Sequence, residues 1–374
     1  MTTLGKSLAA KPACRGISFR HFPPKGKPKP DGPAEYWLAF SGLPARAGTR
    51  NPSGARTMPE GRMPSALTTV GGAPLSRVGL GTAAFGMGGT GDDLADATFR
   101  HAIDLGINWI DTDAIFGFGG AERLVGRTLA ELPAGDRPFI ATAVGFDWDG
   151  RSRRATPQPA MEPRRLRQQL ERSLGRLGVE AVDLVKLNLD AGSDALFEDA
   201  WSTLLDLKQG GLVRAVGLIA PDSARLERAE RIGACDAVYV ELSLIDRRVG
   251  DSELLWRRTP TPTVIAYRAL GGGGLVAPDD PAGEPALGPL RHLIQTIAGR
   301  RHATPPAVAA AWSLTWPGVA GVAVGARCPE HVAAVAPAPE IDLSVRDLSD
   351  IANLLPTLGA GRGPLHPRRF AKAA

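Results

Sequence analysis

Residues 163–188, PRRLRQQLERSLGRLGVEAVDLVKLN, are the stretch on which the fold turns. Leu166, Leu170, Leu174 and Leu177 recur three and four residues apart, the spacing that gathers apolar side chains on one helix face, and Gly178 stands at the end. The period then changes. AVDLVKLN, 181–188, is a short apolar run of strand length. The same alternation extends outward in both directions. Further strand candidates are RVGLG (77–81), INWID (107–111), PFIATAV (138–144), VRAVGLI (213–219), AVYVEL (237–242), TVIAYRA (263–269) and GVAVG (321–325), separated by helical segments such as DDLADATFRHAIDLG and DALFEDAWSTLLDLKQGG. Eight strand–helix units in roughly 290 residues predict an α/β fold, a closed (β/α)8 TIM barrel. An open doubly wound sheet would want a G-x-G-x-x-G turn after its first strand, and GLGTAAFGMGG does not supply it.

The chain has 374 residues, 43% of them hydrophobic, enough for one sizeable domain with extensions. The N-terminal MTTLGKSLAAKPACRG has no apolar h-region with a small-residue cleavage site, and no stretch resembles a membrane span, so a cytoplasmic protein is expected. Three scattered cysteines, Cys14, Cys235 and Cys328, read as free thiols rather than a disulfide framework or metal cage. Residues 1–62 carry eleven Lys/Arg against three Asp/Glu, a surplus of eight that exceeds the +5 of the whole chain. The remainder is therefore mildly acidic, which argues against nucleic acid as a partner of the folded body.

Three regions are expected. Residues 1–62 form a Pro/Gly-rich basic extension without order, 63–358 the barrel, and 359–374 a basic tail. Because Met58 and Met63 lie just before the first regular pattern, the upstream stretch reads either as an extended reading of the gene or as a loosely packed arm.

From about 75 to 355 the motifs VGLGTAAFG, DLGINWIDTD, GxGGAERLVG, LERSLGRLGVEAVDL, GGLVRAVGL, DAVYVELSLIDRR, AYRALGGGGL and VAVGARCPEHV, in this order, resemble the aldo-keto reductases, barrel enzymes that use NADPH. The resemblance implies a tyrosine acting as general acid on a carbonyl oxygen, tuned by lysine, aspartate and histidine. Asp111 stands at the aspartate position. Phe116 replaces the tyrosine, Ala143 the lysine and Asn188 the histidine. Of the three tyrosines, Tyr36, Tyr239 and Tyr267, none is expected near the second strand to take over. The Ser-Asn pair that would hold the nicotinamide amide is Ile219 and Ala220, and the glutamine of the sixth strand is Tyr239. Tyr267 keeps the aromatic that stacks under the nicotinamide, with Arg268 as its neighbour. Gly325 and Arg327 keep the phosphate contacts, while Ala334 and Val335 replace an adenine-contacting pair. Loss at both ends suggests no cofactor, with NADPH held at Tyr267, Gly325 and Arg327 as the alternative.

Side chains alternate along a strand, so Lys186 and Asn188 share the inward face of the fourth strand, beside the third strand that lost its lysine. A lysine inside a barrel needs a partner, and Asp111 is the natural one; the alternative is a purely structural pair lower in the barrel. Asp113 suits either a site or a turn. Tyr239 and Arg268 read as contacts for an anionic or polar substrate, Glu241 as structural. The glycine run 271–274 reads as a flexible loop, or else as a pyrophosphate clasp. None of the histidines (His21, His101, His292, His302, His331, His366) falls at a strand end, so no metal is expected.

Three functions are expected in turn. The first is non-redox acid/base chemistry (cyclisation, dehydration or isomerisation) on a small metabolite, through Asp111, Lys186, Asn188, Tyr239 and Arg268. The second is an NADPH-dependent carbonyl reductase with an atypical proton donor. The third is a catalytically silent scaffold, with a protein partner held by the basic tails.

Overall fold

Eight parallel strands close on themselves in the computed structural model. It describes residues 67–86, 91–148, 156–191, 194–256, 262–276, 287–359 and 361–366. The extension 1–62 and, within the tail 359–374, Ala360 and residues 367–374 lie outside the described residues. Among those described, no helix is long and apolar enough to cross a membrane.

An antiparallel hairpin comes first, β1 (Leu67–Val70) and β2 (Ala73–Ser76), turning through Gly71 and Gly72 at positive φ. The barrel then runs through β3 (Val78–Gly81), α1 (Asp92–Asp104), β4 (Trp109–Asp111), α2 (Gly120–Glu131) and β5 (Phe139–Val144). A two-residue antiparallel pair, β6 (Phe146–Asp147) and β7 (Gln158–Pro159), comes after it. Next are α3 (Pro163–Leu177), β8 (Val182–Asn188), α4 (Phe197–Gln209), β9 (Val213–Ile219), α5 (Ser223–Ile232), β10 (Ala237–Glu241) and β11 (Thr263–Tyr267). The chain continues with α6 (Gly288–Arg301), α7 (Pro305–Leu314), β12 (Val319–Gly325), α8 (Pro329–Val335) and α9 (Val345–Leu354). The expected repeat is not uniform. Between β10 and β11 the described residues hold only two short 3-10 turns, Arg248–Asp251 and Glu253–Trp256, whereas two helices separate β11 from β12.

The helix read from the opening stretch is α3. Leu166, Leu170 and Leu177 are fully buried and Leu174 nearly so, each contributing roughly 1.5–3 kcal/mol of burial. Gly178, at φ 67, then turns the chain and donates its N–H to the Leu174 carbonyl, a left-handed cap that a residue without Cβ adopts at little cost. On β8 the alternation sorts the side chains. Val185 and Leu187 join the outer core beneath the helices, and Leu184 joins the inner cluster with Trp109, Ala141 and Ala215. Lys186 and Asn188, two and four residues beyond Leu184, therefore face the lumen.

The hairpin closes the bottom of the barrel. Val70 and Leu75 belong to the inner cluster, and Thr263 Oγ1 donates to the Thr69 carbonyl. Periodicity places the start of the fold at Leu75 and misses this element, because four-residue arms are too short to display a period. Just above, a Cβ on Gly79 would fall 2.1 Å from the indole of Trp109, whose Nε1 donates to the Ser76 carbonyl at 2.8 Å. Gly79→Ala is expected to cost about 1–3 kcal/mol by overpacking, read as a lower urea midpoint. An unchanged midpoint would show that the indole slides aside freely.

Candidate active site

Three ionisable side chains from three strands meet in the lumen. Asp111 ends β4, Lys186 lies on β8 and Tyr239 on β10, and in the closed order β4-β5-β8-β9-β10 the last stands on the wall opposite the first. Lys186 Nζ donates to Asp111 Oδ1, and the Tyr239 hydroxyl donates to the same carboxylate. The ammonium also sits 4.3 Å from the centroid of the Tyr239 ring, within cation–π range. Ala143 is the direct register partner of Lys186, and its methyl group leaves the lysine room to reach Asp111. The expected pair is thus formed. The expectation that no phenol comes near the second strand is corrected: closure carries Tyr239 across the lumen, which in an eight-stranded barrel is only as wide as its side chains. Tyr239 accordingly belongs to this cluster rather than to a separate anion contact.

Electrostatics at the cluster are governed by burial. Asp111 is 9% exposed and Lys186 2%. Burial raises the Asp111 carboxyl above its ordinary value, outweighing the Lys186 charge and the hydrogen bonds from Lys186 and Tyr239. Burial, then the Asp111 charge, raises Tyr239 well above a free phenol. Asp113 is pushed up to about 7, mainly by burial. Its Oδ1 accepts the Ile115 N–H at 3.0 Å, so Asp113 does serve the turn after β4. A residue not singled out from sequence, Glu122, lies fully buried on α2, accepting from Thr142 Oγ1 at 2.7 Å and Arg176 Nε at 2.6 Å. It ties α2 and α3 to β5 and thereby positions the turn that carries Phe116. A carboxylate amid Ala121, Leu124 and Val125 was its only signal.

Above the cluster, Phe116, Asn188, Ile219 and Tyr267 are half-buried. The Asn188 Oδ1 accepts the Asp190 N–H at 3.1 Å. Arg268 has a φ of 57, and its Nε lies 3.3 Å from Glu241 Oε1, so the charge expected to await an anion is balanced in place. The glycine run expected as a flexible loop is a tight turn held by its own backbone hydrogen bonds. Gly271–Gly273 form a 3-10 turn at positive φ throughout, closed by Gly271 N–H to the Arg268 carbonyl at 2.7 Å and Gly273 N–H to Leu270 at 2.9 Å.

Would these residues hold a nicotinamide dinucleotide? At the nicotinamide end they do not fit: Ile219 and Ala220 offer no side-chain donor or acceptor, and the Tyr239 hydroxyl is committed to Asp111. The phosphate end is better suited, with Gly325 exposed at the end of β12 and Arg327 half-buried just before α8.

A barrel of this topology, with an acidic residue closing its second strand, defines a class, and the sequence profile described as Aldo/keto reductase family matches residues 77–356. The chain belongs to that family. Among relatives, the NADH-specific methylglyoxal reductase of Escherichia coli (strain K12) is 26% identical over 302 residues, covering 73% of this chain and 92% of the other. The solved glycerol dehydrogenase of Gluconobacter oxydans is 29% identical, with a TM-score of 0.70, covering 79% of this chain and 96% of its own. An aldo/keto reductase from Klebsiella pneumoniae, solved with NADP and acetate, is 25% identical, with a TM-score of 0.62 and coverages of 78% and 95%.

Proposed function

We propose that the protein is an enzyme performing non-redox acid–base chemistry, an isomerisation, dehydration or cyclisation, on a small carbonyl compound. The observation that carries this reading is the Asp111–Lys186–Tyr239 cluster: a carboxylate, an ammonium and a phenol in mutual contact, the group types that move protons at a carbonyl. Asp111 takes and returns the proton. Lys186 supplies positive charge where the carbonyl oxygen gains electron density, and Tyr239 orients the carboxylate. Ile219 and Ala220 at the neighbouring strand end favour a reaction without a nicotinamide.

A second reading, an NADPH-dependent carbonyl reductase whose donor is this cluster rather than Phe116, is supported by relatives named as reductases, one of them bound to NADP, and by Tyr267, Gly325 and Arg327. Here the cofactor would supply hydride, while the chain's own residues would bind its phosphates and move the proton. The two readings separate in one experiment, a titration of the protein against NADPH followed by its fluorescence, with methylglyoxal then added. No saturable change and no oxidation are expected. Saturable binding with oxidation of NADPH would establish the reductase and retire the first reading.

A further inference from the structure

The chain contains thirty-six arginines and only eight lysines, and of the lysines only Lys186 and Lys208 fall among the described residues. Lys208 is a surface cation, one-third exposed and paired with Asp236 at 2.6 Å. Among the described residues the barrel's other ion pairs use arginine, as in Arg176 with Glu122 and Arg301 with Asp347. Arginine would serve a purely structural pair with Asp111 by two parallel hydrogen bonds and a permanent charge. Lysine differs in one chemical respect. It can release a proton and then carries a nucleophilic lone pair.

Resting on the acid–base function proposed for this site and deepening it, we propose that Lys186 is a covalent nucleophile whose Nζ condenses with the carbonyl group of an aldehyde or ketone to form an iminium. Asp111 first accepts a proton from the Lys186 ammonium across their contact. The Nζ lone pair attacks the carbonyl carbon, the C=O π pair moves to oxygen, and that oxygen takes the proton back from Asp111. Asp111 then removes a second proton from nitrogen and returns it to the departing hydroxyl, which leaves as water while the nitrogen pair forms C=N. One ammonium and one carbonyl become one iminium and one water, with Asp111 ending as it began. No oxidant or reductant is needed.

The surroundings suit each stage. Burial raises the Asp111 carboxyl, which favours its holding a proton in passing. The lysine is almost wholly enclosed, and low water activity favours dehydration over return to the carbonyl. The Tyr239 ring 4.3 Å from Nζ attracts the positive charge that persists in the iminium. Asn188, two residues along the same face of β8, is half-buried together with Ile219 and Tyr267, and this less enclosed end of the lumen is the side from which a small carbonyl compound would reach Lys186.

The test is reductive trapping. The full-length protein is incubated with hydroxyacetone and sodium cyanoborohydride, under conditions strong enough to label Lys208, then digested and mapped by mass spectrometry. Lys186 should carry the mass of hydroxyacetone less one oxygen and be labelled ahead of Lys208, the adduct being lost without reductant and reduced in Asp111→Asn. Lys186→Arg and Lys186→Met, checked for folding by circular dichroism, should lose only this adduct. Labelling of Lys208 with Lys186 untouched would overturn the proposal. Exchange of the hydroxyacetone methylene protons into deuterated water is measured in parallel. Exchange without an adduct overturns the iminium and leaves the acid–base function standing. An adduct without exchange supports the iminium and removes the proton abstraction from that function, and the absence of both overturns both.

Discussion

Asp111→Asn is expected to abolish the proton exchange while leaving the barrel folded. The substitution keeps volume and hydrogen-bonding capacity, so the Tyr239 hydroxyl and Lys186 Nζ retain an oxygen acceptor, but the charge and the proton-carrying capacity are gone. General acid–base groups contribute typically about 10² to 10⁴-fold, and a loss of that order is the expected result. Lys186→Met should lose activity likewise. Removing one partner of a buried pair strands the other's charge at a cost of about 3–5 kcal/mol, yet Asp111 escapes part of that cost by protonating. Circular dichroism and urea midpoints accompany the rates. If both variants unfold, the pair is structural; if both keep native rates, the cluster is not catalytic and the acid–base reading of this site falls.

The second large effect is on stability against pH. Asp113 moves from an ordinary 3.8 to about 7 in the fold, chiefly through burial. Below about pH 4 both folded and unfolded chains hold this proton, and the group contributes nothing. Between about 4 and 7 the unfolded chain releases it while the fold retains it, so the unfolded state gains and stability falls as pH rises. Above about 7 the full cost is present, at most about 4 kcal/mol. Asp113→Asn still accepts from the Ile115 N–H and removes the titration. The variant should therefore match the parent near pH 4 and exceed it at about pH 8 in urea unfolding. A parent more stable than the variant at the higher pH would mean that the ionised carboxylate is compensated by Lys186, which already opposes the shift.

Local periodicity was enough to specify the elements and much of the lumen. Leucines at helical spacing ending at Gly178, then a run ending at Asn188, specify a helix and the strand after it; alternation along that strand puts Lys186 and Asn188 on one face. Seven more such runs specify a barrel, and Asp111, Phe116 and Ala143 read directly against the family pattern. Residues whose partners lie across the lumen were beyond this reach. From the sequence Tyr239 reads, with Arg268, as a substrate contact near the strand ends, because nothing in its neighbourhood refers to a bond with Asp111, 128 positions earlier. Arg268 looked free until β10 and β11, in register at Glu241 and Tyr267, brought Glu241 beside it. The hairpin of β1 and β2 and the irregular sixth crossover belong with these. Periodicity within a strand is set by bonds between adjacent residues and is written in order along the chain. Which wall faces which is set by the closure of β12 onto β3, and that contact exists only when the whole sheet has curled.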